Sequence, residues 1–110
     1  MKVREYTAPD GSSPYKKWFS QLDPTAAAKV TVAVLRMESG NTSNIKWFEG
    51  IGEYKIDWGP GYRIYLAMAD QTLIILLGGG TKKRQQSVIA EAKRLFNEYK
   101  FRKSESGGKP

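Results

Sequence analysis

The chain has 110 residues, of which 18 are Lys or Arg and 11 are Asp or Glu, so its formal net charge is +7; it contains neither His nor Cys. This length suits one domain, and a hydrophobic content of 40% is enough for one modest core. The missing residue types exclude a disulfide framework, a thiolate nucleophile, a Cys-ligated zinc site, a Ser-His-Asp triad and imidazole metal ligands. Any catalysis must use Lys, Arg, Tyr, Glu or Asp.

The basic surplus is concentrated near the C-terminus. Residues 82–110 carry nine basic and three acidic side chains, whereas residues 41–81 carry three and four. This uneven distribution indicates either a surface that faces a polyanion or a solvated helix with a basic tail. The N-terminus shows no secretory signal, and no apolar run approaches the roughly 20 residues that span a bilayer. We therefore expect a cytoplasmic protein without a membrane partner.

The first 40 residues predict a short strand and two helices. Residues 2–6 alternate apolar and charged side chains, which is typical of a strand. Ser13-Pro14 and Asp23-Pro24 each place a capping side chain before a proline, so each pair should begin a helix. Gly40 should end the second helix and complete a helical hairpin. The apolar stripes that these helices should bury are Tyr15, Trp18, Phe19 and Leu22 in the first, and Ala27, Val30, Val34 and Met37 in the second.

The rest of the chain predicts an antiparallel meander and a closing helix. Apolar and polar residues alternate on both sides of Gly59-Pro60-Gly61, as in a β-hairpin. Residues 72–78 read as a central strand and residues 45–48 as an edge strand. A helical period returns after the glycines that follow, so the class is α+β. The predicted domain covers residues 1–103, and the Ser- and Gly-rich residues 104–110 should form a disordered tail.

The register of the hairpin decides which charged residues meet. An odd offset would put apolar side chains opposite charged ones, so an even offset is favoured. With a three-residue loop, Asp57 faces Arg63 and Lys55 faces Tyr65. A final strand that ends at Gly78, beside Tyr62, would lead the chain past Arg63 into the basic segment. One charged face and that segment should therefore meet; their members are Glu53, Lys55, Asp57, Arg63, Tyr65, Lys82, Lys83 and Arg84.

Cations beside a tyrosine and carboxylates suit phosphodiester chemistry, in which guanidinium donors stabilise charge that grows on phosphate oxygens. Arg63 is the strongest single candidate. Its alternative role is a cross-strand ion pair with Asp57 on a solvated face. Lys55 and Tyr65 could form a simple cross-strand contact, and the basic segment could be a solvated loop. The glycines before Lys82 lack the spacing of a nucleotide phosphate-binding loop.

Two sequence blocks carry a family resemblance. The more specific block is Asp-x-Gly-Pro-Gly-Tyr-Arg-x-Tyr at residues 57–65, supported by Gly-Gly-x-Lys-x-x-Gln at residues 79–85. With flanking matches over roughly residues 3–100, the chain resembles the RelE/ParE toxin superfamily, specifically its HigB-like branch of phage-derived killer proteins.

This resemblance implies a RelE-like fold, with an N-terminal helical hairpin and an antiparallel sheet. It also implies a toxin of a type II toxin-antitoxin module, with a helix-turn-helix antitoxin as partner and operator DNA bound indirectly through that antitoxin. Many relatives cut mRNA in the ribosomal A site, without metal or cofactor, by attack of a ribose 2′-OH on the adjacent phosphate. The implied activity is that of a ribosome-dependent endoribonuclease.

The resemblance also implies roles for individual residues. Arg63 would stabilise the phosphorane, Lys82 or Lys55 would carry a proton or stabilise charge, and Tyr65 would complete the catalytic set. Contacts to RNA phosphates would come from Lys83, Arg84 and Lys46. Two other functions remain open: a ParE-like inhibitor of DNA gyrase, and a noncatalytic protein that binds nucleic acid or an antitoxin.

Overall fold

A computed structural model describes residues 1–107, with side chains to residue 105. Five strands and three helices confirm the predicted α+β class. In chain order the elements are β1 (Lys2–Glu5), α1 (Pro14–Phe19), α2 (Pro24–Glu38), β2 (Ile45–Phe48), β3 (Ile51–Ile56), β4 (Tyr62–Asp70), β5 (Leu73–Thr81), a 3₁₀ turn (Lys82–Arg84) and α3 (Gln85–Gly107).

All five strands form one sheet in the order β1-β5-β4-β3-β2. Strands β2 to β5 make the predicted antiparallel meander. Strand β1 pairs with β5 in parallel, which the sequence did not predict. The chain leaves β1 at one edge of the sheet and returns at the other edge in β2, with α1 and α2 between the two strands.

The helical hairpin begins where the capping signals place it. The Ser13 hydroxyl accepts a hydrogen bond from the backbone N–H of Lys16 at 3.0 Å, and the Asp23 carboxylate accepts one from Ala26 at 2.9 Å. Gly40, with a φ of 91°, follows the end of α2. The stripe predicted for α2 was partly wrong, because the fully buried side chains are Ala26, Val30, Ala33 and Met37, while Ala27 and Val34 are only partly buried.

The sheet lies between two helical layers. One face, which we call the hairpin face, packs under α1 and α2; the buried side chains between these layers include Val30, Met37, Tyr54, Ile64, Leu66 and Ile74. The opposite face, the α3 face, packs under α3; the buried side chains between those layers include Tyr6, Ile51, Tyr65, Ile75, Leu77 and Leu95. Successive strand residues alternate between these faces, as the pleat requires.

The predicted register between β3 and β4 was wrong by two residues. Lys55 lies opposite Arg63, and Glu53 lies opposite Tyr65. The connection is a five-residue loop, residues 57–61, because Gly59 and Gly61 adopt φ values of 58° and 76°. A shift of two keeps every side chain on its predicted face.

Strand β5 also runs three residues further than predicted, to Thr81. Gly78 therefore lies opposite Tyr65, not Tyr62, and the chain leaves the sheet beside Tyr62 only at Thr81. Gly79 belongs to the strand because it passes under an aromatic ring: a Cβ there would lie 2.4 Å from the ring of Trp18. Glycine is thus a packing requirement here, not a loop signal.

Helix α3 continues through Gly107, so residues 104–107 of the predicted tail are helical. Residues 108–110 of that prediction lie outside the described residues. Within residues 1–107, none of the helices has both the length and the apolar character needed to cross a membrane.

Candidate functional site

A buried carboxylate organises the α3 face where β3 and β4 meet the start of α3. Glu53 is 8% exposed, and its Oε2 accepts hydrogen bonds from the Tyr65 hydroxyl at 2.8 Å and the Gln85 amide at 3.0 Å. The Nε of Arg63 lies 3.5 Å from the same oxygen. Three elements therefore meet at one carboxylate, and burial strengthens each of these interactions relative to water.

Arg63 is held on two sides. The residue is 5% exposed, and its Nη1 donates a hydrogen bond to the carbonyl oxygen of Gly61 at 3.2 Å. Its Nε is buried without a well-aligned hydrogen bond among the described residues, although Glu53 lies within ion-pair distance. The alternative prediction, an ion pair between Arg63 and Asp57, was wrong because the longer loop places Asp57 beyond the paired part of β3.

Two further predicted residues lie beside Arg63. Lys55 is exposed and is the direct cross-strand partner of Arg63. Lys82 donates its backbone N–H to the Gly61 carbonyl oxygen at 2.9 Å. The Cβ of Lys82 and the Nη1 of Arg63 lie 3.8 and 3.5 Å from the point where a Cβ on Gly61 would be. The structure thus brings Arg63 and Lys82 together at one glycine, with Lys55 opposite Arg63 on the neighbouring strand.

The predicted RNA-binding residues lie at different distances from this cluster. Lys83 and Arg84 are exposed in the 3₁₀ turn that follows Lys82. Lys46 is exposed on edge strand β2, opposite Glu53, and is therefore one strand further from Arg63. Within the described part of the chain, none of the predicted lysines, nor Arg84, forms an ion pair. Their charges remain available to an anion.

Tyr65 occupies a different position from the one its predicted role requires. It is 0% exposed, so it does not touch a substrate in this conformation. Burial raises the pKa of Tyr65, and so does its hydrogen bond to Glu53, so the phenol stays protonated and donates a hydrogen bond to the carboxylate. Tyr65 positions Glu53, which in turn faces Arg63.

Residue patterns predicted no role for Gln85, and Glu53 was one of several charges on the predicted face. Gln85 is the first residue of α3, and its amide ties that helix to the sheet through Glu53. Its place in the second sequence block was the available signal. Residues 1–107 contain no group of three or more Asp and Glu side chains arranged to hold a metal ion.

No family model matches the chain. An uncharacterized protein of Haemophilus influenzae is 41% identical over 86 residues, which cover 76% of this chain and 87% of that protein. The chain therefore belongs to the same family as this Haemophilus influenzae protein.

Proposed function

We propose that the protein is a RelE-like toxin of a type II toxin-antitoxin module, in the HigB-like branch, that cuts mRNA on the ribosome. One observation carries this proposal: Arg63 and Lys82 both lie against Gly61 at the end of the sheet, and Lys55 is the cross-strand neighbour of Arg63. Each of the three comes from a different segment, and exposed Lys83 and Arg84 extend the positive surface. Such a concentration of charge suits a phosphodiester substrate.

In this proposal Glu53 keeps the Arg63 side chain in position to bind a phosphate. The Glu53 carboxylate lies beside the guanidinium, and hydrogen bonds from Tyr65 and Gln85 fix the orientation of that carboxylate. A scissile phosphate approaching over Gly61 would compete with the carboxylate for the guanidinium, since arginine donors bind both groups with similar geometry. Arg63 would then stabilise the additional negative charge of the phosphorane.

The reaction would be a transfer within the RNA. The 2′-oxygen of one ribose forms a bond to the adjacent phosphorus, and the bond from that phosphorus to the 5′-oxygen of the next nucleotide breaks. The 2′-OH proton leaves to a base, and a proton reaches the departing 5′-oxygen, so a 2′,3′-cyclic phosphate and a 5′-hydroxyl are formed. Lys55 and Lys82 are the candidates for carrying these protons and for balancing charge.

A noncatalytic nucleic-acid-binding role is the second candidate. It is favoured by the burial of Arg63 and by its pairing with Glu53, because both features suit a structural ion pair. In that case exposed Lys82, Lys83 and Arg84 would bind phosphates, and no bond would be cut.

The test is inducible expression of wild type and Arg63→Ala without the antitoxin, with mapping of mRNA 5′ ends. Arg94→Ala is a matched control, since this exposed arginine pairs with Glu91 and Glu98 on α3. We expect growth arrest and new 5′ ends with wild type and with the control, but not with Arg63→Ala. Arrest with intact transcripts and broken chromosomes would instead indicate a gyrase inhibitor, and wild-type expression without toxicity or cleavage would favour noncatalytic binding.

A further inference from the structure

A cavity lies beside Asp57 and Trp58, at the start of the loop that follows β3. Its volume is about 490 Å³, and it opens between α2 and β3. This volume is in the range of roughly 300–1,000 Å³ that is usual for small-molecule sites. Three cationic residues and one carboxylate are among the residues that line it: Lys29, Arg36, Lys55 and Asp57. An anionic ligand of nucleotide size fits both the volume and the charge.

Trp58 gives this cavity an aromatic wall. The indole is 37% exposed and stacks on Tyr62, with ring centres 6.3 Å apart and an angle of 21° between the planes. The backbone of Trp58 is fixed on both sides, because its N–H donates to the Ile56 carbonyl and its own carbonyl accepts from Gly61, each at 3.0 Å. A rigid, half-exposed indole is a suitable surface for an unpaired base.

Two cations lie within reach of a base on Trp58. The Nζ of Lys29 lies over the Trp58 ring, 5.5 Å from its centre, so a base that stacks there would displace the ammonium towards its own phosphate. Arg36 lines the same cavity, and its Nη1 donates to the Tyr54 hydroxyl at 3.5 Å. Asn44 donates to the same hydroxyl at 3.4 Å. Both bonds are long, so either donor can turn to a ligand at little cost.

We propose that this cavity binds one unpaired nucleotide of single-stranded RNA, with the base against Trp58 and the phosphate against Lys29 and Arg36. The choice of RNA rests on the proposed function, but binding here does not require cleavage. The loop that presents Trp58 ends at Gly61, whose carbonyl accepts hydrogen bonds from Arg63 and Lys82. A strand that crosses this loop would extend from the cavity to the Arg63 site.

Binding of a labelled eight-nucleotide RNA, followed by fluorescence anisotropy with purified protein, tests the subsite. Loss of base stacking in Trp58→Ala should weaken binding about 10-fold, and Trp58→Phe should restore most of it. Trp47→Ala is the matched control, because Trp47 is 46% exposed but does not line the cavity. Lys29→Gln should reduce the slope of log affinity against log salt by about 0.7, the value for one lost phosphate contact on a single strand.

A second measurement does not depend on a variant. In a ¹⁵N spectrum, titration with adenosine 5′-monophosphate should shift the indole N–H signal of Trp58 and leave that of Trp47 in place. Equal shifts at both signals, no shift at Trp58, or unchanged RNA affinity in folded Trp58→Ala would each overturn the proposal. So would equal losses of affinity in Trp47→Ala and Trp58→Ala.

The subsite and the nuclease can fail separately. If the RNA binds through Trp58 but ribosomes with wild-type protein leave mRNA intact, the subsite stands and the nuclease is refuted. If mRNA is cut while Trp58→Ala binds the oligonucleotide as wild type does, the nuclease stands and the subsite is refuted.

Discussion

The two faces of the sheet are built by different means. The hairpin face is closed by apolar packing, and Gly79 lies directly beneath the ring of Trp18. The α3 face has an apolar part too, but where α3 begins it buries the carboxylate of Glu53 with Arg63 and Tyr65. Buried charge contributes less stability than apolar packing, because each ion must first lose its water.

This difference separates apolar packing from buried charge within one small protein. Apolar contacts with Trp18 hold the hairpin face, whereas the α3 face keeps an arginine oriented beside exposed Lys55 and Lys82. Substitutions on the hairpin face should act mainly on folding. Substitutions in the Glu53 network should change both folding and the charge of the site. Experiments on the two faces can test this difference.

The largest effect on the free energy of unfolding should come from Glu53→Gln. It leaves the guanidinium of Arg63 buried without its counter-charge, which costs about 3 kcal/mol or more when one member of a buried pair is removed. The double variant Glu53→Gln with Arg63→Met should recover most of that loss in the free energy of unfolding, measured by urea unfolding. A double variant that is less stable than Glu53→Gln alone would contradict this account of the pair.

Gly79→Ala should destabilise the hairpin face by about 2 kcal/mol, since overpacking a filled core typically costs 1–3 kcal/mol. The added methyl would lie 2.4 Å from the Trp18 ring, and either the ring or strand β5 must move. Gly78→Ala is the matched control, because a Cβ there meets nothing within 4 Å. Similar midpoints for the two variants in urea would show that Trp18 does not constrain this strand.

Removing one tyrosine hydroxyl from each face allows the two environments to be compared directly. Tyr65→Phe should lower the free energy of unfolding by about 1.5 kcal/mol at neutral pH, because a hydrogen bond to a charged group is removed. Tyr15→Phe should be nearly neutral, since the Tyr15 hydroxyl makes no hydrogen bond within residues 1–107. Equal losses in urea would contradict the distinction between the faces.

Both tyrosines should make the protein sensitive to alkali. Burial raises the pKa of Tyr15 to about 12, and burial and Glu53 raise that of Tyr65. A raised folded pKa means that the unfolded chain releases its proton first, so stability is lost as pH rises above about 10. Between pH 9 and 11, each Phe variant should lose stability less steeply than wild type, as read from urea midpoints. Parallel plots of midpoint against pH would contradict the raised pKa values of the two tyrosines.

The smallest effect on folding should come from Lys83→Ala. This exposed residue forms no ion pair in the described part of the chain, so its loss should change stability by less than about 0.5 kcal/mol. Ribosome binding should nevertheless weaken and become less dependent on salt, as a lost phosphate contact requires. An unchanged salt slope would remove Lys83 from the proposed RNA surface.

The sequence predicted the parts of the fold that short-range rules govern. Ser13 and Asp23 cap helices because the capping hydrogen bond spans only three residues. The side chains of Lys55 and Arg63 share a face because alternation survives an even shift in register. The parallel pairing of β1 with β5 was not predicted, because it joins segments about 70 residues apart and leaves no local pattern.

The same limit applies to the site. Charge and alternation pointed to Arg63, Lys55 and Lys82, but the loop length, and with it the ion-pair partner of Arg63, depended on glycine conformations. The burial of Tyr65 depended on where α3 crosses the sheet. That placement is a tertiary property, and helical periodicity does not encode it.

Cleavage of mRNA on purified ribosomes by wild type and by Arg63→Lys tests the central claim most directly. The lysine preserves the charge beside Glu53 but lacks the paired donors of guanidinium. We expect cleavage by wild type and a loss of about 100-fold or more in the cleavage rate of the variant, comparable to losing one oxyanion donor, with ribosome binding retained. Intact mRNA with wild type, or undiminished cleavage by Arg63→Lys, would contradict the claim.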